Sequence, residues 1–170
     1  ETRQAAQACL AYLRSLQKKD GSIHAGRLPV YVTSVAIMAL AEDASPQNKE
    51  AIRKAAQFLG ATQADEGESF SETDRPYGGI GYGSDLRPDL SNLQYAMQAL
   101  KESGATQDDD AFGRALVFLQ RTQNRSESNP ETWKQIGEET TVRSGNDGGA
   151  IYMPGNSPAG YNTLADGSVV

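Results

Sequence analysis

The apolar residues of the chain recur at helical spacing in three segments that end in nearly the same letters. In each segment an aromatic residue and a leucine stand five and four residues before a glutamine. Such matching at fixed positions indicates an internal repeat. The segments read AYLRSLQKKDG (11–21), QFLGATQADEG (57–67) and VFLQRTQNRSE (117–127), with their glutamines at Gln17, Gln63 and Gln123.

The residues before each glutamine carry an apolar stripe with a period of three to four, which predicts an amphipathic helix. These helices, called A-type here, are predicted over about 4–18, 48–63 and 109–123. Two B-type helices, which share the pattern Ala-x-x-Ala-Leu, are predicted in YVTSVAIMALAE (31–42) and LSNLQYAMQALKE (90–102). Because B-type helices are apolar around much of their girth, we expect them to be buried on more than one side. Cys9, on the apolar face of the first A-type helix, is expected to be a buried, unreactive thiol.

The order A, B, A, B, A, without a convincing series of strands, predicts an all-α fold of alternating helix pairs. Such pairs build α/α solenoids and closed α/α toroids, and five helices are too few to close a ring. From Asn124 onward the chain is rich in Gly, Asn, Ser and Pro, with only a short turn predicted around 132–138. We therefore interpret 1–170 as a single partial toroid domain, a piece of a larger ring cut before its next B-type helix. Its repeats cover about 4–43, 48–104 and 109–170, the last one incomplete.

The composition argues against several classes of function. The formal net charge of −6, without a cluster of Lys and Arg, argues against nucleic acid as a partner. Cys9 and His24 are the only cysteine and histidine, so neither an internal disulfide nor a classical zinc site is expected. No metal and no cofactor are predicted. No stretch approaches the roughly 18 apolar residues of a membrane span, which predicts a soluble chain without a transmembrane segment. Localisation stays open between the cytoplasm and export with a removed leader.

The repeat ending, aromatic-Leu-x-x-x-Gln-x-x-x-Gly, resembles the repeat of the terpenoid cyclase and protein prenyltransferase superfamily, best known from squalene-hopene cyclases. That repeat ends in Gln, then Asp-Gly, then tryptophan. The first copy here keeps Gln17, Asp20 and Gly21, with Ile23 in the place of the tryptophan. The resemblance covers residues 5 to about 123. The letters GGIGYG, followed by RPDLSN, also resemble bacterial proteins with prenyltransferase and squalene-oxidase-type repeats.

The resemblance implies a ring of inner B-type and outer A-type helices around a cavity, which holds an isoprenoid in the characterised members. It carries over no catalytic residue. Cyclases of this kind use an Asp-x-Asp-Asp motif as the acid, and the protein prenyltransferases use an Asp, a Cys and a His on zinc. The nearest acidic run here, 108–110, is interpreted as capping and first-turn acids of the A-type helix that follows.

A glycine-rich stretch, YGGIGYGSDLRPDLSN (77–92), precedes and opens the second B-type helix. Its glycines lack the Gly-x-Gly-x-x-Gly spacing and no strand precedes them, which argues against a nucleotide site. A long connection that turns tightly explains the glycines and Pro88, with Asp89 or Ser91 as the helix cap. The second repeat is 14 residues longer than the first in this region, and long ordered loops at helix ends often carry function. The candidate ligand-binding rim residues are therefore Tyr77, Tyr82, Arg87, Asp89, Asn92 and Tyr95.

The tail stretch GNDGGAIYMPGNSPAGYN has the same composition, and its Tyr152 and Tyr161 are predicted to serve the same rim in the third repeat. Three functions remain open. In the first, the chain is a repeat domain that binds an apolar, isoprenoid-like ligand or partner in the ring cavity, with no catalytic motif of its own. Alternatively, it is part of an active isoprenoid cyclase or transferase whose catalytic residues lie outside this segment, or a non-catalytic toroid that binds protein or glycan. The expected partners are a hydrophobic small molecule and, to complete the ring, the rest of the toroid or a second copy.

Overall fold

The structure is a computed structural model that describes residues 2–83, 87–106, 109–130, 132–134, 139–157, 160–165, 167 and 169. These residues form five α-helices: α1 (Thr2–Ser15), α2 (Pro29–Ala41), α3 (Pro46–Gly60), α4 (Leu90–Glu102) and α5 (Asp110–Thr122). A 3-10 turn covers Glu66–Glu68, and β1 (Trp133–Lys134) pairs with β2 (Thr141–Val142) in a two-residue antiparallel ladder. The predicted all-α fold is confirmed, and each helix lies within about three residues of its predicted limits. The turn predicted at 132–138 coincides with β1, while residues 135–138 lie outside the described part of the chain.

The helix starts follow from local chemistry. A proline occupies the first position of α2 and of α3, where its missing N–H costs no hydrogen bond. The hydroxyl of Ser45 caps α3. The carboxylate of Asp89 caps α4 by accepting a hydrogen bond from the backbone N–H of Asn92 at 2.9 Å. The cap predicted at 89–91 is thus supplied by Asp89.

The acidic run before α5 has a structural explanation. Asp109 is the N-cap residue, and its carboxylate accepts a hydrogen bond from the backbone N–H of Thr106 at 2.5 Å rather than from α5. Asp110 stands in the first turn, where the helix dipole favours a negative charge. Asp108 lies outside the described residues. The first-turn prediction is thus confirmed for Asp110, whereas Asp109 stands at the N-cap position without a side-chain cap to α5.

The helices pack as two layers of alternating type. The B-type helices α2 and α4 lie side by side, and the A-type helix α3 contacts both of them. The other A-type helices flank this group, with α1 against α2 and α3, and α5 against α4. They share one core, whose large and fully buried side chains include Ile23, Val30, Ile37, Leu40, Leu59, Ile80, Leu93 and Phe118. This is the packing of neighbouring helix pairs in an α/α toroid.

The prediction for Cys9 is wrong, because the structure leaves its thiol exposed. The positions that correspond to Cys9 in the other A-type helices are Ala55 and Ala115, and both are buried. Each of those helices follows a preceding repeat that covers this face, whereas no described residue of α1 is buried. Burial of a helix face therefore depends on the neighbouring repeat as well as on the apolar stripe.

The repeated glutamines join one A-type helix to the next. The side-chain N–H₂ of Gln17 donates to the carbonyl of Gly21 at 3.0 Å and to that of Ala51 in α3 at 2.8 Å. Gln63 does the same with Gly78 at 3.0 Å and Ala111 in α5 at 2.9 Å. Each glutamine thus ties its own loop to the following A-type helix. This common geometry explains why the residue recurs at the same position of the repeat.

A glycine after each glutamine provides the close approach that this contact needs. Gly21 and Gly78 have left-handed backbones, with φ of +94° and +78°. A Cβ atom on either would overlap a backbone carbonyl of the next A-type helix, at Lys54 and Arg114 respectively. Gly148, in the third repeat, has φ of +77°, but nothing lies within 4 Å of where its Cβ would be. The third glycine therefore has the same conformation without a helix packed against it.

Candidate functional site

Tyrosine side chains converge where the two B-type helices begin. Tyr31, in the first turn of α2, meets Tyr95 of α4 edge to face, with ring centroids 4.8 Å apart. The long connection between α3 and α4 brings Tyr82 to the same place, because the backbone N–H of Val30 donates to the Tyr82 carbonyl at 3.5 Å. The side chains of all three tyrosines are half-buried, so each keeps a surface that a ligand can reach.

The tail adds a fourth tyrosine in an equivalent way. The backbone N–H of Leu90, at the start of α4, donates to the carbonyl of Tyr152 at 3.0 Å. Tyr152 follows Gly-Gly-Ala-Ile just as Tyr82 follows Gly-Gly-Ile-Gly. The start of each B-type helix is thus bound by a tyrosine carbonyl from the loop of the next repeat. We call Tyr31, Tyr82, Tyr95 and Tyr152 the tyrosine cluster.

Contacts between arginine side chains and Trp133 join the long connection between α3 and α4 to the tail after α5. The guanidinium groups of Arg75 and Arg121 both lie over the indole ring of Trp133 in β1, at 5.4 and 5.9 Å from the ring centroid. Arg121 is buried in α5 and donates to the backbone carbonyl of Asp74 at 2.9 Å. Cation–π contacts of this kind contribute about 0.5 to 2 kcal/mol each. They fix the long connection against the tail, and with it the loops that carry Tyr82 and Tyr152.

A chain of hydroxyl groups runs from the tyrosine cluster to a buried acid. The hydroxyl oxygens of Tyr82 and Tyr152 are 3.4 Å apart, and that of Tyr152 is 3.0 Å from Ser91 Oγ. The Ser91 hydroxyl lies 2.7 Å from Oδ1 of Asp89 and donates its single proton there, because the carboxylate is the stronger acceptor. In the contacts between Tyr82 and Tyr152 and between Tyr152 and Ser91, either hydroxyl can be the donor. We call Tyr82, Tyr152, Ser91 and Asp89 the hydroxyl chain.

The acid at the end of this chain is held by its own helix. Asp89 is 1% exposed and also accepts from the side-chain N–H₂ of Asn92 at 2.7 Å. Asn92 is fully buried, and its side-chain carbonyl oxygen has no hydrogen-bond partner among the described residues. Buried acceptors are usually paired. The polar end of the site is therefore rich in acceptors.

The hydroxyl of Tyr152 remains protonated well above neutral pH. Burial, together with hydrogen bonds to Tyr82 and Asp89, raises its pKa from 10.0 to about 12. Because the folded pKa lies above the unfolded one, the resulting stabilisation is complete below pH 10 and is lost between pH 10 and about 12. We expect the free energy of unfolding to fall across this window, and Tyr152→Phe to reduce the slope when denaturant melts are compared at several pH values. An unchanged slope in the variant would contradict the assignment.

The structure brings four of the sequence-predicted rim residues together and separates two. Tyr82, Asp89, Asn92 and Tyr95 all lie at the starts of the B-type helices. Their neighbourhood includes Tyr31, which the sequence reading missed. Aligning the Ala-x-x-Ala-Leu patterns of the two B-type helices matches Tyr31 with Ser91, which belongs to the glycine-rich stretch 77–92. This alignment was the signal in the sequence that could have identified Tyr31.

The remaining predicted residues have other surroundings. Tyr77 is buried, and its hydroxyl donates to the carboxylate of Glu66 at 2.9 Å, in a groove that also includes Arg114 of α5. Arg87 is exposed and borders a small cavity next to Phe118. Tyr161 of the tail lies within its own loop, where its hydroxyl accepts from the backbone N–H of Ser157 at 3.1 Å.

The fold and this site define a class of protein. Helix pairs of alternating type, tied by repeated glutamines, fit a terpenoid cyclase-like repeat domain. The model of the squalene-hopene cyclase C-terminal domain matches residues 1–141, and the chain belongs to this family. Comparisons with curated proteins and with solved structures give no match. None of the helices in the described residues combines the length and apolar character needed to cross a membrane.

Proposed function

We propose that this repeat domain binds an apolar, isoprenoid-like ligand at the tyrosine cluster. The observation that carries the proposal is the convergence of four half-buried tyrosines from four separate parts of the chain. Aromatic side chains offer large apolar areas on rigid groups, and ligand sites commonly combine such walls with a few polar groups. The squalene-hopene cyclase family supports an isoprenoid as the class of ligand.

An apolar face of α2 continues from the tyrosine cluster along the helix. Tyr31, Val35 and Ala39 are spaced by four residues and therefore share one face of the helix. Val35 is 41% exposed although it lies in the most apolar helix of the chain. Eight residues of helix cover about 12 Å. This face thus provides an apolar strip that begins at the tyrosine cluster, and an extended hydrocarbon bound along it would remove the strip from water.

The proposal is tested with farnesene, an isoprenoid hydrocarbon without a polar head. We expect NMR chemical-shift changes that concentrate on Tyr31, Val35 and Tyr95. Removing one aromatic wall by Tyr31→Ala is expected to weaken binding at least about tenfold, because a buried side chain of this size contributes about 1.5 to 3 kcal/mol. Tyr12→Ala is the matched control, since Tyr12 is 62% exposed on α1. Equal weakening by the two variants, or no saturable binding of farnesene, would refute the proposal.

A further inference from the structure

A repeated glutamine and its left-handed glycine together form a site for the next A-type helix, which we call a helix seat. Two helix seats are filled, by α3 and by α5, and their residues are Gln17 with Gly21 and Gln63 with Gly78. The third seat consists of Gln123 and Gly148. The side-chain N–H₂ of Gln123 donates to none of the described residues, and Gly148 is exposed, whereas the glycines of the filled seats are buried. Within the described chain, no helix therefore covers the third seat.

The third seat has the same backbone geometry as the filled ones. In the second seat the backbone N–H of Gly78 donates to the carbonyl of Ala64 at 2.7 Å, and in the third that of Gly148 donates to the carbonyl of Asn124 at 3.0 Å. In all three seats the glutamine is bridged to the residue two after the glycine, in the pairs Gln17 with Ile23, Gln63 with Ile80 and Gln123 with Ala150. A helix can therefore bind the third seat without rearranging it, which lowers the cost of association.

The filled seats define what the incoming helix must offer. In both of them the glutamine donates to the carbonyl of an alanine that stands twelve residues before the next glutamine, namely Ala51 or Ala111. The same position of α1 is Ala5. The residue whose carbonyl meets the glycine stands three positions further on, which in α1 is Ala8. Both alanines of α1 are exposed, so α1 presents the matching face to solvent.

The third seat differs from the second in a way that suits α1. In the second seat the side-chain oxygen of Gln63 accepts from Nε of Arg114, which belongs to the incoming helix. In the third seat the corresponding oxygen of Gln123 accepts from the hydroxyl of Ser128 in the tail, at 3.1 Å. A helix that binds there needs no cation at this position, and α1 has Ala8.

We propose that α1 of a second copy of this chain occupies the third helix seat, so that copies associate head to tail. Such an interface joins two different surfaces, and its repetition either closes a ring or continues as an open series. Because one helix on one seat is a small interface, we expect association to be weak and to depend on concentration. The inference does not depend on the proposed function, since neither surface includes a residue of the tyrosine cluster.

Sedimentation equilibrium of the whole chain, carried into the millimolar range, is the first test. The average mass is expected to rise with concentration, and a monomer throughout would overturn the inference. Gly148→Ala is expected to weaken association at least about tenfold, because a Cβ at the equivalent Gly78 would overlap the backbone of the bound helix. Gln123→Met, which removes the donor and keeps the glycine, is expected to weaken it as well.

Gly104→Ala is the matched control for the seat variants. Gly104 lies just after α4 with φ of +102°, and nothing lies within 4 Å of its Cβ position. Its substitution adds the same kind of backbone strain outside the seat, and we expect association to be unchanged. Equal weakening by Gly148→Ala and Gly104→Ala would contradict the proposed interface.

Mixing two blocked variants tests the head-to-tail arrangement itself. Ala5→Arg blocks the helix face and keeps the seat, whereas Gly148→Ala blocks the seat and keeps the helix face. Each is expected to be mainly monomeric alone, and an equimolar mixture is expected to form a heterodimer that grows no further. Gln7→Arg is the matched control, because it adds the same charge about 200° around α1. No heterodimer in the mixture, or equal effects of Ala5→Arg and Gln7→Arg, would overturn the inference.

Discussion

Gly78→Ala is expected to destabilise the protein by roughly 3 to 5 kcal/mol, the largest effect predicted for a single added methyl group. Two costs add at this position. The left-handed backbone, with φ of +78°, costs a residue with a side chain about 1 to 2 kcal/mol. The new Cβ would also overlap the carbonyl oxygen of Arg114, which belongs to the backbone of α5 and can move only with the helix. Urea-induced unfolding followed by circular dichroism measures the loss.

Gly148→Ala is the matched control for this prediction. Gly148 has almost the same backbone angle, +77°, but nothing lies within 4 Å of its Cβ position. Gly148→Ala should therefore lower the free energy of unfolding only by the conformational cost of about 1 to 2 kcal/mol. If the two variants were equally stable, the close approach of the loop to α5 would not be a significant part of the stability.

Gln63→Met is expected to cost about 3 to 5 kcal/mol, for a reason that is chemical rather than steric. Methionine has nearly the volume of glutamine, but it cannot donate to the carbonyls of Gly78 and Ala111. It also cannot accept from the guanidinium of Arg114, whose Nε lies 3.1 Å from the Gln63 side-chain oxygen. Gln63 is fully buried, so the two carbonyl groups lose their hydrogen bonds without gaining water, while Arg114 keeps its ion pair with Asp65 at 3.2 Å. Each buried polar group left unpaired costs about 1 to 3 kcal/mol.

The third glutamine supplies the comparison. Gln123 is only half-buried, and the side-chain hydrogen bond recorded for it is the one accepted from Ser128 at 3.1 Å. We expect Gln123→Met to cost about 1 kcal/mol in the same denaturant experiment. A cost as large as that of Gln63→Met would mean that the glutamine acts within its own loop and that the contact with the following helix adds little.

The helices could be predicted from the sequence because their signal is local. The apolar stripe before each glutamine indicates which face of the helix is buried, and α3 and α5 bury Ala55 and Ala115 on that face. The same stripe led to a wrong prediction of burial for Cys9, because no preceding repeat covers α1 in the described chain. A helix pattern states which face can be buried, and the presence of a neighbour decides whether it is.

The alignment of the loops could be predicted only in part. The glycine four residues after the glutamine matches Gly21 with Gly67 in the sequence, but Gly67 lies in a 3-10 turn. The structural counterpart of Gly21 is Gly78, since both accept the glutamine hydrogen bond and both precede a buried isoleucine by two residues. An insertion hides such a match, because spacing along the chain does not report which residues meet in space.

The candidate site was predictable to the extent that it lies in one continuous stretch. Tyr82, Asp89 and Asn92 come from the glycine-rich connection, and the structure assembles them at one place. The place of Tyr77 could not be predicted, because its hydroxyl is held by Glu66 across the loop, a contact that no local pattern records. Tyr31 was missed because it joins the others through the packing of α2 against α4, which no local pattern records.

The pairing of Gln63 with Gly78 and Ile80 makes the intervening residues a closed loop. Fourteen residues lie between Gln63 and Gly78, whereas three lie between Gln17 and Gly21. Both ends of the longer loop are fixed to each other by the bridge between Gln63 and Ile80 and by the hydrogen bond to Gly78. Insertions and deletions at the exposed residues 67–69, away from the contacts of Asp74 and Arg75 with Arg121 and Trp133, would change what the loop presents to solvent without shifting Tyr82 or Asp89. This segment is therefore the place where the protein tolerates variation in length, and where a foreign peptide could be grafted with the least disturbance to the tyrosine cluster.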